Sequence, residues 1–259
     1  MMKYALIFLG IAAVGGWCAL YFPFWKKRRP LLTVLRFGKI GSGKGYISPQ
    51  ALEKRLNALQ KWGFTPIVPE DLLAAKQGVQ LPPRPVLLVF EYGLESFYKT
   101  VFPLLKARGQ KACVCLCADY IGQYNAWQNP YKDPWQNTLT AEELAQLQKS
   151  GLISFAAHGL TYADLNALPQ ETAAAQAREA RYRLQHTYQL TVNTFFYPQS
   201  VPAKELDQQV AAAGYAVRLS RSRSRGRGTN LLPARLETPL HTVCGGLNLP
   251  RLRAKLTRG

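Results

Sequence analysis

An uninterrupted apolar segment, Pro-Val-Leu-Leu-Val-Phe at residues 85–90, most restricts what this chain can fold into. Four of its residues are Val or Leu and none is polar, which is typical of a strand buried on both faces of a parallel sheet or α/β barrel. Glu91, Tyr92 and Gly93 follow at once. Because α/β enzymes place their chemistry where such strands end, Glu91 is a candidate catalytic residue. Taken alone, the acid also suits a strand that meets a solvated turn.

Short apolar segments alternate with helical patterns along most of the chain, which at 259 residues is long enough for one large α/β domain. The further predicted strands are 31–37, 65–68, 111–117, 152–156, 194–196 and 215–219. The predicted helices are 48–62, 94–109, 141–149, 169–188 and 203–213. This alternation predicts a parallel sheet or a barrel.

A long connection over residues 118–137 is rich in aromatic side chains: Tyr120, Tyr124, Trp127, Tyr131 and Trp135. It follows a predicted strand, so its rings lie near the strand ends. They could stack on sugar rings, or they could simply pack the loop, and the sequence leaves both interpretations open.

The cysteines do not form a disulfide framework, because their number is odd, at five, and their spacing is irregular. Cys113, Cys115 and Cys117 alternate along one predicted strand and therefore share one face. We interpret them as small buried apolar side chains. A Cys-x-Cys-x-Cys metal site is the alternative.

The charge of the chain is strongly positive, with 33 Lys and Arg against 15 Asp and Glu, a formal net charge of +18. Such a balance favours anionic surfaces such as lipid headgroups, nucleic acid or acidic glycans. Half of the residues in the run 218–227 are Arg, and we interpret the run as a solvated loop. It holds no interleaved aromatic residue, which argues against a nucleic-acid partner.

The N-terminal segment predicts a single-pass membrane anchor. Residues 4–25 carry no charge and are long enough to cross a bilayer as a helix, and four basic residues follow at 26–29. We therefore divide the chain into an anchor with its basic flank, residues 1–30, and a main domain, residues 31–259. The flanking positive charges predict that the main domain lies on the cytoplasmic side.

Five segments resemble, in this order along the chain, the polysaccharide deacetylases with a NodB-homology domain: 46–65, 81–93, 102–106, 139–165 and 196–198. The resemblance implies a distorted (β/α) barrel with its active site at the C-terminal ends of the strands. It also implies removal of N-acetyl groups from a polysaccharide with the help of zinc or another divalent metal. Family members of this kind act outside the cytoplasmic membrane, so the resemblance and the flanking charges disagree about the side.

The resemblance also assigns roles to individual positions. Glu91 stands at the position of the catalytic base, and His158 matches the first metal-binding histidine. Tyr92 and Tyr162 stand where a metal-binding aspartate and a second histidine are expected. A phenol, whose pKa is about 10, is a poor metal ligand at neutral pH. His158 would be a vestigial ligand, and we expect no bound metal or other cofactor; Asp119 or Asp164 could supply a missing donor.

A substrate groove at the strand ends would be lined, according to the same resemblance, by Tyr92, Tyr162, Tyr197, Pro198 and Gln199. The partner that this groove implies is an N-acetylated glycan or another polysaccharide. The backbone N–H of Gln199 would lie where the family holds an oxyanion. The sequence identifies no protein partner.

These observations lead to three hypotheses about function. The first is a membrane-anchored, catalytically degenerate relative of the deacetylases that binds a glycan. The second is an active deacetylase with altered ligands, and the third is a basic adaptor for anionic membrane or polyanion surfaces.

Overall fold

The computed structural model describes residues 32–43, 45–128, 131, 134–198, 202–220 and the strand Leu240–Val243. The predicted anchor 1–30, Gln199 and residues 221–227 of the arginine-rich run lie outside the described residues. Within the part of the chain that the structure describes, no helix combines the length and the apolar character needed to cross a bilayer.

The described strands form one sheet in which all paired strands run parallel. They are β1 Leu32–Phe37, β2 Thr65–Ile67, β3 Pro85–Phe90, β4 Ala112–Leu116, β5 Ile153–Ala157, β6 Thr194–Phe196, β7 Val217–Leu219 and β8 Leu240–Val243. Their order is β7-β6-β5-β4-β3-β1-β8, and β2 also pairs with the start of β3. The predicted parallel α/β architecture is confirmed and fits a (β/α) barrel. The apolar segment 85–90 is a central strand of this sheet.

Helices connect the strands, and those described pack on one face of the sheet except the helix Pro69–Lys76, whose Leu72 belongs to the core on the opposite face. They are α1 Pro49–Lys61, α2 Pro69–Lys76, α3 Phe102–Lys106, α4 Ala141–Lys149, α5 Gln170–His186 and α6 Lys204–Ala212, and a π-helical turn, Phe97–Val101, precedes α3. Side-chain caps fix two of the starts. Ser48 accepts the N–H of Ala51 at 3.2 Å, and Thr140 forms a capping box with Glu143. The predicted strands and helices are confirmed to within a few residues at most ends, whereas α2 and β8 were not predicted.

The two faces of the sheet pack differently because side chains alternate along each strand. In β4, Ala112, Val114 and Leu116 pack with the helices. Cys113 and Cys115 belong to a second core with residues such as Val34, Leu87 and Val89, which we call the inner face.

The predicted role of the cysteines as buried apolar side chains is confirmed. Cys113, Cys115 and Cys117 are free and buried. Burial raises the pKa of the Cys115 thiol well above its usual value, so the group stays protonated. These residues therefore fill the core like other small apolar side chains.

The turn after β3 lies against β4. Gly93 has a φ of +58°, in the left-handed region, and a Cβ at this position would lie 2.8 Å from Leu116 Cδ2 and 3.3 Å from the carbonyl oxygen of Cys115. Only glycine satisfies both the dihedral and the close approach. Gly109 has nearly the same φ, +59°, but a Cβ there would meet nothing within 4 Å.

These two glycines make a matched test of the turn. We expect Gly93→Ala to lower the free energy of unfolding by about 2–4 kcal/mol, since it adds overpacking to the cost of a left-handed alanine. Gly109→Ala carries only the second cost, about 1–2 kcal/mol. Denaturant unfolding of both variants measures the difference, and equal losses would contradict the close packing of this turn on β4.

Candidate functional site

Three polar side chains meet at the C-terminal ends of neighbouring strands. Arg36 lies near the end of β1, Glu91 directly after β3, and His158 directly after β5. The alternation that places Val34, Val89 and Ala156 on the inner face places each of these polar residues there too, two positions further on. All three are buried.

Glu91 and Arg36 form an ion pair between Oε1 and Nη2, with both side chains about 5–6% exposed. The guanidinium also lies over the ring of Phe196, 4.7 Å from its centroid. A neighbouring guanidinium stabilises the ionised form of a carboxylate. Glu91 is therefore held as a charged group that is shielded from solvent. Sequence analysis missed Arg36, although a lone charge within the apolar strand 31–37 was the available signal.

His158 is held by the neighbouring strand. Its Nδ1 lies 2.7 Å from the carbonyl oxygen of Phe196, and its ring stands edge-on to the Phe196 ring at 5.4 Å. A carbonyl only accepts hydrogen bonds, so Nδ1 carries the proton and Nε2 is the basic nitrogen. This is the arrangement that metal-binding histidines commonly use.

The predicted groove residues Tyr92 and Tyr162 pack on each other beside His158. Their ring centroids are 5.1 Å apart, and the Tyr162 ring is 5.3 Å from the His158 ring. Trp127 joins them, 6.2 Å from Tyr92 and 6.1 Å from Tyr162, and Tyr120 lies 4.9 Å from Trp127. We call these four residues the strand-end aromatic cluster. All four residues are half-buried.

The backbone of Tyr92 adopts a conformation that tyrosine rarely uses. Its φ is +77°, in the left-handed region, where asparagine, aspartate and glycine are the common residues. The resemblance to the deacetylases implies an aspartate at this position. The turn therefore has a conformation suited to that residue while it carries a phenol. The ring lies beside Gly38, where a Cβ would be 3.4 Å from Tyr92 Cε2, in ordinary van der Waals contact.

The remaining predicted groove residues are placed differently. Tyr197 is buried on the helix side, and its hydroxyl donates to Asp207 on α6 at 2.9 Å, so its side chain does not join the cluster. Burial raises the pKa of this phenol. The carbonyl of Pro198 accepts the hydroxyl of Tyr162 at 3.1 Å. Gln199 lies outside the described residues, and its role stays a prediction.

Both alternative aspartates take part in contacts within the fold. Asp119 forms an ion pair with Arg183 of α5 at 2.6 Å. Asp164 accepts the N–H of Asn166 and begins the short 3₁₀ helix Leu165–Ala167. Both carboxylates therefore have structural contacts elsewhere.

The described side chains at the strand ends do not fit the divalent metal that the resemblance implies. Among the residues that the structure describes, no group of three or more His, Cys, Asp and Glu side chains is arranged to hold a metal ion. A catalytic zinc site usually has three protein donors, drawn from such residues. Here His158 is accompanied by two phenols and by a carboxylate paired with Arg36.

The buried ion pair predicts a large effect on stability when one partner is removed. We expect Arg36→Met to lower the free energy of unfolding by about 3–5 kcal/mol, because Glu91 would be left charged without its neighbour. The double variant Arg36→Met/Glu91→Leu should lose less, since no charge then stays buried. Denaturant unfolding measures both.

A matched control is Lys99→Met, which removes an ion pair whose lysine is 62% exposed, and which should change stability little. A double variant less stable than Arg36→Met alone would contradict this account of the pair.

Comparison with known proteins identifies the family. A family model described as polysaccharide deacetylase matches residues 78–218, more than half of the chain. A relative from Bacillus subtilis (strain 168), named "Putative polysaccharide deacetylase YxkH", is 22% identical over 189 residues. The match covers 71% of this chain and 62% of the relative, so the chain spans less than two thirds of that protein's length.

Solved structures show the same fold. IcaB from Ammonifex degensii matches with a TM-score of 0.63 and 21% identity, over 73% of this chain and 83% of that chain. The Streptococcus pyogenes deacetylase PplD, in complex with acetate, matches with a TM-score of 0.63 and 17% identity, over 82% of this chain and 99% of that chain. Together with the family model, these matches establish that the chain belongs to the polysaccharide deacetylase family.

Proposed function

We propose that this chain is a membrane-attached, glycan-binding member of the polysaccharide deacetylase family that has lost metal-dependent hydrolysis. The observation that carries the proposal is the packing of Tyr92 on Tyr162, whose ring centroids are 5.1 Å apart. Both residues stand at positions where metal ligands are expected. Neutral phenols do not replace a carboxylate and an imidazole as donors at neutral pH. His158 is then the one expected ligand that remains.

The environment of Glu91 supports the loss of hydrolysis. A general base must reach the attacking water to take its proton. The carboxylate of Glu91 is instead paired with the buried guanidinium of Arg36. Glu91 on this proposal is a structural anion that holds β1 and β3 together.

The strand-end aromatic cluster supports glycan binding. Tyr92, Tyr120, Trp127 and Tyr162 lie half-buried at the face where the fold family has its active site. The C–H faces of a pyranose ring pack on aromatic surfaces, while phenol groups can hydrogen-bond its hydroxyls. A metal is not needed for this kind of recognition.

The second candidate is an active deacetylase with altered ligands. The tautomer of His158 favours it, because Nδ1 bound to the Phe196 carbonyl leaves Nε2 as a ligand nitrogen. On this alternative a substrate or water group would have to complete the coordination.

Membrane attachment rests on the sequence of residues 1–30. The flanking charges and the family disagree about the side of the membrane on which the main domain lies.

A purely electrostatic adaptor is the third candidate, which the net charge of +18 favours.

Metal content and acetate release separate the first two candidates. We expect the purified chain to bind less than one zinc per molecule and to release no acetate from chitin oligomers. The double variant Tyr92→Asp/Tyr162→His should bind about one zinc, because it restores a set of three donors with His158. Metal analysis after dialysis and an acetate assay measure both quantities.

The two single variants serve as controls, since each supplies one donor fewer and should retain less zinc than the double variant. One zinc per wild-type molecule, together with acetate release that Glu91→Gln abolishes, would establish the active enzyme instead.

Salt dependence separates glycan binding from an electrostatic adaptor. We expect binding to chitin oligomers to be nearly equal at low and moderate salt, and to weaken about tenfold in Trp127→Ala through loss of ring contact. Titration calorimetry at two salt concentrations measures the effect. Binding to heparin that collapses as salt rises, with no binding to the neutral oligomers, would support the adaptor.

A further inference from the structure

The loop between β4 and α4 has a composition unlike the rest of the chain. Residues 121–137 include four aromatic residues and six Asn or Gln residues. Their charged residues are Lys132 and Asp133, so the loop is neutral within a chain of net charge +18. A neutral surface of rings and amides suits a neutral polar ligand better than an anionic one.

Two rings of this loop face solvent as a pair. The ring centroids of Tyr124 and Trp135 are 4.3 Å apart at an angle of 64°, and the side chains are 43% and 61% exposed. Among the described residues, the large apolar side chains that are exposed are Val79, Tyr124, Tyr131, Trp135 and Tyr182. Most of them therefore belong to this loop. Loop packing, one of the two interpretations of the sequence, does not account for rings that stay in water.

The pair is held in place by a buried amide. Asn125 donates from Nδ2 to Gln128 Oε1 at 2.8 Å and to the Pro134 carbonyl at 3.1 Å, and its Oδ1 accepts the N–H of Gln136 at 2.8 Å. These bonds connect the two segments of the loop that carry Tyr124 and Trp135. A preformed pair of rings loses little conformational entropy when it binds a ligand.

The base of the loop is joined to the strand-end site. Leu139 donates its N–H to the Gly93 carbonyl at 2.8 Å, and Glu95 donates to the Asn137 carbonyl at 2.9 Å. The same loop contributes Trp127 to the strand-end aromatic cluster. The exposed pair therefore belongs to the same end of the barrel as the cluster, in a loop whose base is bonded to Gly93 and Glu95, just after Glu91.

We infer that Tyr124 and Trp135 form a second subsite, which stacks on a neutral pyranose ring of a bound glycan. The ligand is then an oligosaccharide that extends from the strand-end aromatic cluster onto the loop, and the surrounding amides hydrogen-bond its hydroxyls. This inference rests on the proposed glycan binding and adds that the chain recognises several sugar units rather than one.

The test measures how affinity depends on the length of the oligosaccharide, in the wild type and in a variant that lacks the exposed ring. The full chain is titrated with N-acetylglucosamine oligomers of increasing length by calorimetry. We expect wild-type affinity to rise with length, and Trp135→Ala to lose about tenfold for the longest oligomers while it binds the disaccharide unchanged. Tyr182→Ala is the matched control, since Tyr182 is equally exposed, at 59%, but lies on α5. Its affinities should equal those of wild type, and melting curves check that both variants are folded.

The outcomes distinguish this inference from the proposed function. If wild type binds no oligomer, the proposed glycan binding fails and the subsite fails with it. If wild type binds, but Trp135→Ala has wild-type affinity at every length or weakens all lengths equally, the second subsite alone is overturned. A loss of binding to phosphatidylglycerol vesicles in Trp135→Ala, with unchanged oligomer affinities, would assign the pair to a lipid surface and also overturn the inference.

Discussion

The buried ion pair between Arg36 and Glu91 fixes the arrangement of the strand ends. β1 and β3 are paired in register up to Phe37 and Phe90, and the N–H of Glu91 continues the ladder to the Phe37 carbonyl at 2.9 Å. Two buried charges are favourable only when their geometry is held by the surrounding structure. Phe196 lies under the guanidinium and offers its carbonyl to His158. The ends of β1, β3, β5 and β6 are thus positioned by contacts that spread from one pair.

The position next to this pair carries a side chain that its backbone conformation does not favour. Tyr92 has a left-handed φ of +77°, which costs a tyrosine about 1–2 kcal/mol relative to an ordinary conformation. Its contacts with Tyr162 and Trp127 offset part of this cost, because aromatic pairs contribute about 0.5–1.5 kcal/mol beyond their burial. The turn is fixed by Gly93 against β4, so it does not relax to suit the new side chain.

Alternation and apolar runs in the sequence predicted much of this structure, whereas contacts between distant segments were not predictable. The segment 85–90 identified a buried strand, and its end located Glu91 at the C-terminal edge of the sheet, as the structure shows. Arg36 was missed, since its partner lies 55 positions further along the chain and nothing local marks the pairing. The resemblance to the family predicted that Tyr197 lines the groove, whereas strand alternation directs its side chain towards α6. The strand β8 was missed because four residues carry little periodicity.

Apart from the Arg36–Glu91 pair, the scaffold draws little of its stability from the side chains at the strand ends. Its cores are layers of apolar side chains on both faces of the sheet, so the residues at the strand ends can change without loss of the fold. A hydrolase gains rate only from interactions that are stronger in the transition state than in the bound substrate. A binding protein has no such restriction and can use every contact for affinity. On the proposed function, the rings of Tyr92 and Tyr162 add more to binding affinity than metal ligands would, because they provide surface that contacts an unreacted sugar. On the same proposal, the loop of neutral polar and aromatic residues beside them extends this surface, and its zero net charge suits a neutral sugar.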